Sequence, residues 1–205
     1  MNTHNLSTIA RILNSRWSKS LMPPVIYMTD ELRAPNPLPT IKRLTPGSGV
    51  IFRHYNFKSR LNLGLDIKRL CQKKNLLFII AGDCSLARNL NADGLHLPEF
   101  MVSNLTLQSM LWRKTPKKIL TASAHCKNSL VKCLALRVDA ALVSPVFPTN
   151  SHLDRTTLGV SKFQALAKTS PLPIYALGGI NNMNAIQLIN SPAIGIAGIG
   201  AVSQI

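Results

Sequence analysis

Three uninterrupted apolar runs in the last third of the chain restrict its fold more than any other feature. The first is Ala140-Ala141-Leu142-Val143, leading into Ser144-Pro145-Val146-Phe147-Pro148-Thr149. The second is Leu172-Pro173-Ile174-Tyr175-Ala176-Leu177, closed by Gly178-Gly179-Ile180, and the third runs from Ala193 to Val202. A segment of helical pattern separates each run from the next. A strand with one wet face alternates apolar and polar residues. Continuous apolarity instead marks strands covered on both faces, as in a parallel sheet wrapped by helices. Glycine-rich strand ends also let backbone N–H groups approach an anion closely. In a barrel of eight strands, the loops after strands seven and eight are the usual phosphate site.

The same alternation extends back through the chain and divides it into eight strand–helix units. The earlier strands are expected at Val25–Met28, Val50–Phe52, Leu76–Ala81, Gly94–Leu97 and Ile119–Ala122. Helices are expected over Arg60–Lys73, Leu86–Leu90, Val102–Trp112, Ser129–Leu136, Ser161–Lys168 and Asn182–Ile189, the last capped by Asn181 or Asn182. The stretch from Arg33 to Thr45 holds three prolines and leaves room for a short helix only. A spacing of roughly 20 to 30 residues per unit suits a small barrel. The predicted fold is therefore α/β, a (β/α)8 TIM barrel, with residues 1–205 as a single domain. A doubly wound open sheet is the alternative; the Gly-x-Gly-x-x-Gly turn usual after its first strand is absent.

The first 22 residues carry Arg11, Arg16 and Lys19 and no acid. They read either as an Arg- and Ser-rich targeting segment or as a helix across the barrel bottom. Ile9, Ile12, Leu13 and Trp17 recur at helical spacing and favour the helix. A signal peptide is not expected, because no long apolar stretch with a small-residue cleavage site follows. No run reaches the length of a membrane span. The four cysteines form no Cys-x-x-Cys pair, which suits reduced thiols and a cytoplasmic protein. With 24 Lys and Arg against 8 Asp and Glu, the net charge is +16. Such a balance suits nucleic acid, anionic surfaces or phosphorylated small molecules. The basic residues are scattered, however, so nucleic-acid binding is not the expected main role.

So few acids make their placement informative. Asp30, Asp83, Glu99 and Asp154 lie at or after C-terminal strand ends, the face where barrel enzymes build their sites. Asp83 follows the most apolar strand, where a carboxylate needs a cation such as Mg2+ beside it. Arg53 ends a short apolar strand. Its guanidinium suits phosphate, or an ion pair across the mouth with an acid such as Asp83. His125 ends strand five and is a candidate acid–base group. His54, His96 and His152 also fall at strand ends or top loops and leave a zinc hydrolase open, although no two share ligand spacing on one element.

Asn91-Ala92-Asp93-Gly94-Leu95-His96-Leu97, Ser123-Ala124-His125, the Ser144–Thr149 segment and Ala176-Leu177-Gly178-Gly179-Ile180, in that order and at those separations, resemble the thiamine phosphate synthase family, which also includes thiazole tautomerase. The resemblance runs from Tyr27-Met28-Thr29-Asp30 to Val202. It implies a (β/α)8 barrel that joins hydroxymethylpyrimidine pyrophosphate to a thiazole phosphate, with Mg2+ on the leaving pyrophosphate. It also implies roles. Arg53 grips pyrophosphate, Asp83 is the first Mg2+ ligand and Ser123 lies near the pyrophosphate and pyrimidine. Thr149 and Ser151 contact the thiazole substrate. Gly178 and Gly179, helped by Gly200 and Ala201, bind its phosphate.

The chain departs from the family pattern on one side of the site. The strand-two pattern Gln-x-Arg-x-Lys becomes Ile51-Phe52-Arg53-His54-Tyr55, with Lys58 as a replacement within reach. Asn-Asp after strand three becomes Gly82-Asp83. The acidic end of strand four becomes Pro98-Glu99-Phe100, which leaves Glu99 as the candidate second Mg2+ ligand. The lysine of the strand-six loop becomes His152, and a serine near the last phosphate site becomes Gly200. The thiazole half is better kept than the pyrophosphate half. Two alternatives therefore stay open: a tautomerase-like enzyme using His125, and a non-catalytic barrel that binds a phosphorylated ligand or nucleic acid. The expected partners are phosphorylated small molecules, with a homo-oligomer left open and no membrane.

Overall fold

A computed structural model of the chain describes residues 5–17, 22–104, 107–149, 156–200 and 202. Eight parallel strands close into a barrel in chain order, β1-β2-β3-β4-β5-β6-β7-β8, with β8 hydrogen-bonded back to β1. The strands are β1 Val25–Met28, β2 Gly49–Phe52, β3 Leu77–Ala81, β4 Gly94–Leu97, β5 Ile119–Ala124, β6 Ala140–Val143, β7 Ile174–Leu177 and β8 Gly195–Gly198. Continuous apolarity has the expected cause: four of the eight strands are buried at every residue and the other four at all but one or two, since each has the barrel interior on one side and helices on the other.

Two apolar layers result. Inside the ring, Ile26, Ile51, Ile79, Leu142, Tyr175 and Ile194 pack together. Tyr175 makes its buried hydroxyl compatible with that interior by donating to the Pro23 carbonyl, 2.5 Å away. The outer layer joins the opposite strand faces to the helices α1 Leu6–Ser15, α2 Leu38–Arg43, α3 Arg60–Lys74, α4 Cys84–Asn89, α5 Glu99–Ser103, α6 Leu107–Arg113, α7 Lys127–Ala135 and α8 Gly159–Thr169.

Helix α1 begins where the Asn5 side chain accepts from the Thr8 N–H, and it buries Leu6, Ile9, Ala10 and Leu13. Asn14 donates to the carbonyls of Met22 and Ile194, at the entries to β1 and β8. Two expected helices take other forms. The single helix over Val102–Trp112 is two, α5 and α6. Asn104 leaves α5 with extended backbone, and its side chain type competes with helical hydrogen bonding. The segment Asn182–Ile189 is a 3-10 turn over Ala185–Leu188. There Asn181 accepts from the Met183 and Asn184 N–H groups, and Asn184 accepts from the Asn181 N–H. These local bonds replace an α-helical first turn.

Candidate functional site

The strand order places β6, β7, β8, β1 and β2 side by side, and a cavity of about 480 Å³ opens above their C-terminal ends. Its two flanks differ in chemistry. One is peptide backbone after β7 and β8; the other is guanidinium after β1 and β2.

The backbone flank is built by a zipper between the loops after β6 and β7. Val146 N–H donates to the Leu177 carbonyl and Phe147 N–H to the Gly178 carbonyl, each 3.0 Å. The Gly179 carbonyl accepts from the Asn184 side chain at 2.8 Å. In a trans peptide the C=O and the following N–H point opposite ways. The N–H groups of Gly179 and Ile180 are therefore turned from those partners, and both residues line the cavity. Gly179 sits at φ +68°, and a Cβ there would lie 2.3 Å from the Pro148 carbonyl oxygen. Only glycine allows this approach.

The guanidinium flank follows from strand register. Met28 pairs with Ile51, so Asp30 and Arg53 lie opposite each other two places further on. Arg53 Nη2 donates to Asp30 Oδ2 at 2.5 Å. The ion pair expected for Arg53 thus exists, with Asp30 and not with Asp83. Adjacent strands bring residues 30 and 53 together, whereas Asp83 belongs to the end of β3. The Arg53 N–H donates to Thr29 Oγ1, and that hydroxyl also meets His54 Nδ1, each 2.9 Å. His54 Nε2 lies 3.2 Å from the Pro35 carbonyl, and burial pushes the imidazole below its ordinary pKa.

Five of the sequence candidates, Arg53, Thr149, Gly178, Gly179 and Gly200, share this one cavity. Ser151, His152, Asp154 and Ala201 lie outside the described residues. Ser123, His125, Asp83 and Glu99 do not line the cavity. Ser123 Oγ is held 3.0 Å from His96 Nε2, and His96 Nδ1 is 3.0 Å from Thr121 Oγ1. Burial, and secondarily the charge of Arg53, push His96 down to about 3, so this interior imidazole is neutral. Both ring nitrogens of His125 face protein oxygens. Its Nδ1 faces the Ser144 carbonyl at 2.5 Å and its Nε2 faces Glu99 at 3.2 Å.

The carboxylates implied as Mg2+ ligands are likewise engaged, and with different side chains. Asp83 Oδ1 caps α4 by accepting from the Leu86 N–H at 2.8 Å, and Asp83 Oδ2 pairs with Arg60 at 3.1 Å. Arg60 in turn donates to the Ala81 carbonyl and lies over the rings of Phe52 and Tyr55. Glu99 faces His125. Among the described residues no group of three or more His, Cys, Asp and Glu could hold a metal. Asp83 and Glu99, each engaged by another side chain, do not present a preformed Mg2+ site, and no three-ligand zinc site stands among the described residues.

Three polar side chains in the cavity wall were not anticipated from the sequence: Arg33, Asn181 and Ser144. A signal for Arg33 existed. It stands three residues after Asp30, the spacing of an Asx-type turn, and Asp30 Oδ1 accepts from both the Leu32 and Arg33 N–H groups at 3.1 Å.

A closed parallel barrel with a glycine-built peptide cradle after β7 and arginine opposite it, both at the C-terminal strand ends, is a (β/α)8 barrel with its cavity on the face where this class builds its sites. The family model described as thiamine monophosphate synthase matches residues 41–204, and the chain belongs to that family. A thiamine-phosphate synthase of Oceanobacillus iheyensis is 33% identical over 148 residues, covering 71% of this chain and 70% of its own. Another, from Prochlorococcus marinus, is 33% identical over 172 residues, covering 82% of this chain, which spans about half of that protein (47%). The fold matches that of thiamine phosphate pyrophosphorylase from Pyrococcus furiosus, with a TM-score of 0.71 at 19% identity over 90% of this chain and 91% of the other. No helix among the described residues is long and apolar enough to cross a membrane.

Proposed function

We propose that this chain joins hydroxymethylpyrimidine pyrophosphate to thiazole phosphate, giving thiamine phosphate and pyrophosphate. The observation that carries the reading is the two-sided cavity: a peptide cradle for one phosphate faces a guanidinium for another anion. The reaction breaks a carbon–oxygen bond to pyrophosphate and forms a carbon–nitrogen bond to the thiazole ring. It needs the leaving charge stabilised and two partners aligned more than it needs a base. That matches a barrel in which His54 and His125 at the strand ends and His96 in the interior are all held by protein oxygens.

In this reading Arg53 meets the pyrophosphate and Ser123 supplies a hydroxyl beside the pyrimidine. Gly178, Gly179 and Gly200 take the thiazole phosphate by backbone, and Thr149 borders the thiazole. Ser151, His152 and Ala201 are assigned to the same half. Mg2+, where bound with pyrophosphate, would neutralise the leaving charge; Asp83 and Glu99 are engaged by Arg60 and His125 and present no preformed site for it, and no step is routed through it. In this reading the work is done in the cytoplasm, which phosphorylated substrates and four cysteines without a disulfide support.

The test is direct. Purified protein with both substrates should release thiamine phosphate and pyrophosphate, and Arg53→Ala should lower kcat/KM by at least about tenfold. No product, under conditions where the Oceanobacillus relative turns over, removes this reading.

A further inference from the structure

The wall of the cavity carries two guanidinium groups, Arg33 and Arg53, and among the described residues no carboxylate. A metal-assisted diphosphate site has the opposite character, with acids that hold the ion and the ion that holds the phosphates. Here the rim acids are spent elsewhere, Asp83 on α4 and Arg60, and Glu99 on His125. The segment after β4 adds Pro98, Phe100 and Met101 and no further acid.

Asp30 has a different position from these acids, since its two oxygens govern both arginines. Oδ1 accepts from the Leu32 and Arg33 N–H groups and so fixes the turn that carries Arg33. Oδ2 holds Arg53 Nη2. The Asp30 side chain is only 11% exposed, so it orients its partners without itself facing an incoming anion. The Arg33 guanidinium has no partner among the described residues, and Arg53 has spent one of its five N–H donors on Asp30. Two planar forks, set on one carboxylate and open to one cavity, suit a group with two linked tetrahedral phosphates.

We propose that Arg33 and Arg53 form an arginine clamp for a diphosphate group, aligned by Asp30, and that this clamp does in this chain what a carboxylate-held Mg2+ would otherwise do. Arg33 is a binding residue and Asp30 a positioning residue. The proposal rests on the function above only for whose diphosphate it is.

The test uses the full chain and inorganic pyrophosphate, followed by calorimetry in EDTA and again with Mg2+. Binding should persist in EDTA. Arg33→Ala should weaken it roughly tenfold to a hundredfold, and Asp30→Asn should weaken it with the Arg33 side chain still present. Arg69→Ala, an exposed change on α3, serves as the control for lost charge alone. Mn2+ added to the protein without pyrophosphate should keep its free-ion electron paramagnetic resonance signal. The clamp is overturned by pyrophosphate binding that requires Mg2+, by equal losses in Arg33→Ala and Arg69→Ala, or by Mn2+ held by the protein alone. The two readings separate cleanly. Pyrophosphate bound through Arg33 with no thiamine phosphate formed would refute the synthase and keep the clamp. Thiamine phosphate formed with pyrophosphate binding indifferent to Arg33 would do the reverse.

Discussion

Cys126 differs from the other three cysteines in both exposure and electrostatics. It is exposed, and hydrogen bonds from the Ser129 backbone and hydroxyl draw its thiol below the ordinary range. Burial drives Cys71 up to about 12 and Cys133 to about 11, and raises Cys84 as well. Brief treatment of the native protein with iodoacetamide at neutral pH should therefore modify Cys126 and spare the rest, as read by peptide mass spectrometry. Comparable labelling of Cys84 would contradict this. Residue types were legible before residue partners were. An arginine at the end of β2 and acids at the ends of β1 and β3 were plain in the sequence. That Arg53 takes Asp30 while Asp83 takes Arg60 depends on strand register and on where α3 starts. Neither quantity is written in a run of four apolar residues. Arg33 was missed for the same reason, because the Asx turn that aims it is defined by Asp30 oxygens.

At the scale of elements, the strands were read closely because double burial leaves a strong signal: continuous Val, Ile, Leu and Ala between turn residues. The helices after β4 and β7 were read less well. After β7 asparagine side chains compete for the backbone, and after β4 the chain leaves helical geometry at Asn104; a periodicity count is blind to both. The Gly178-Gly179 pair was legible as a phosphate loop, and the structure adds why it resists substitution. Gly179→Ala would put a methyl against the Pro148 and Phe147 carbonyls, 2.3 and 2.6 Å away, at a positive φ. Strain of this kind costs at least about 1–2 kcal/mol, or several degrees in Tm. Gly47→Ala provides the comparison. Gly47 also has a positive φ, at +81°, but open space around its would-be Cβ, and it precedes β2 at the far end of the barrel. Both variants should lose stability, and only Gly179→Ala should lose affinity for thiamine phosphate, by at least about tenfold. Calorimetry on the two proteins decides it; equal affinities would mean the cradle is elsewhere.

For the whole molecule, counting eight strand–helix units was enough to specify a closed barrel. The excess of basic charge specified neither a surface nor a partner, because the 24 cations are scattered between Arg11 and Lys168, with none in the last two units, and leave no local pattern to read. Charge and fold meet in the response to acid. His96, inside the ring of strands, is held neutral at about 3 when folded and takes up its proton near 6.5 when unfolded. Below 6.5 the unfolded chain binds a proton that the folded one refuses. Stability is thus complete above 6.5 and falls as the pH drops towards 3, at up to about 1.4 kcal/mol per pH unit from this residue. His54, also lowered by burial, acts in the same direction. Self-repulsion in a chain of net charge +16 predicts the same trend, and salt separates the two causes. Screening at about 0.5 M salt weakens repulsion between surface charges and leaves a buried imidazole untouched. Urea midpoints measured from pH 7.5 to 5 should fall at high salt as well as low. His96→Gln should start from a lower midpoint and follow pH less steeply. If high salt flattens the wild-type profile, surface repulsion governs acid sensitivity and the barrel interior does not.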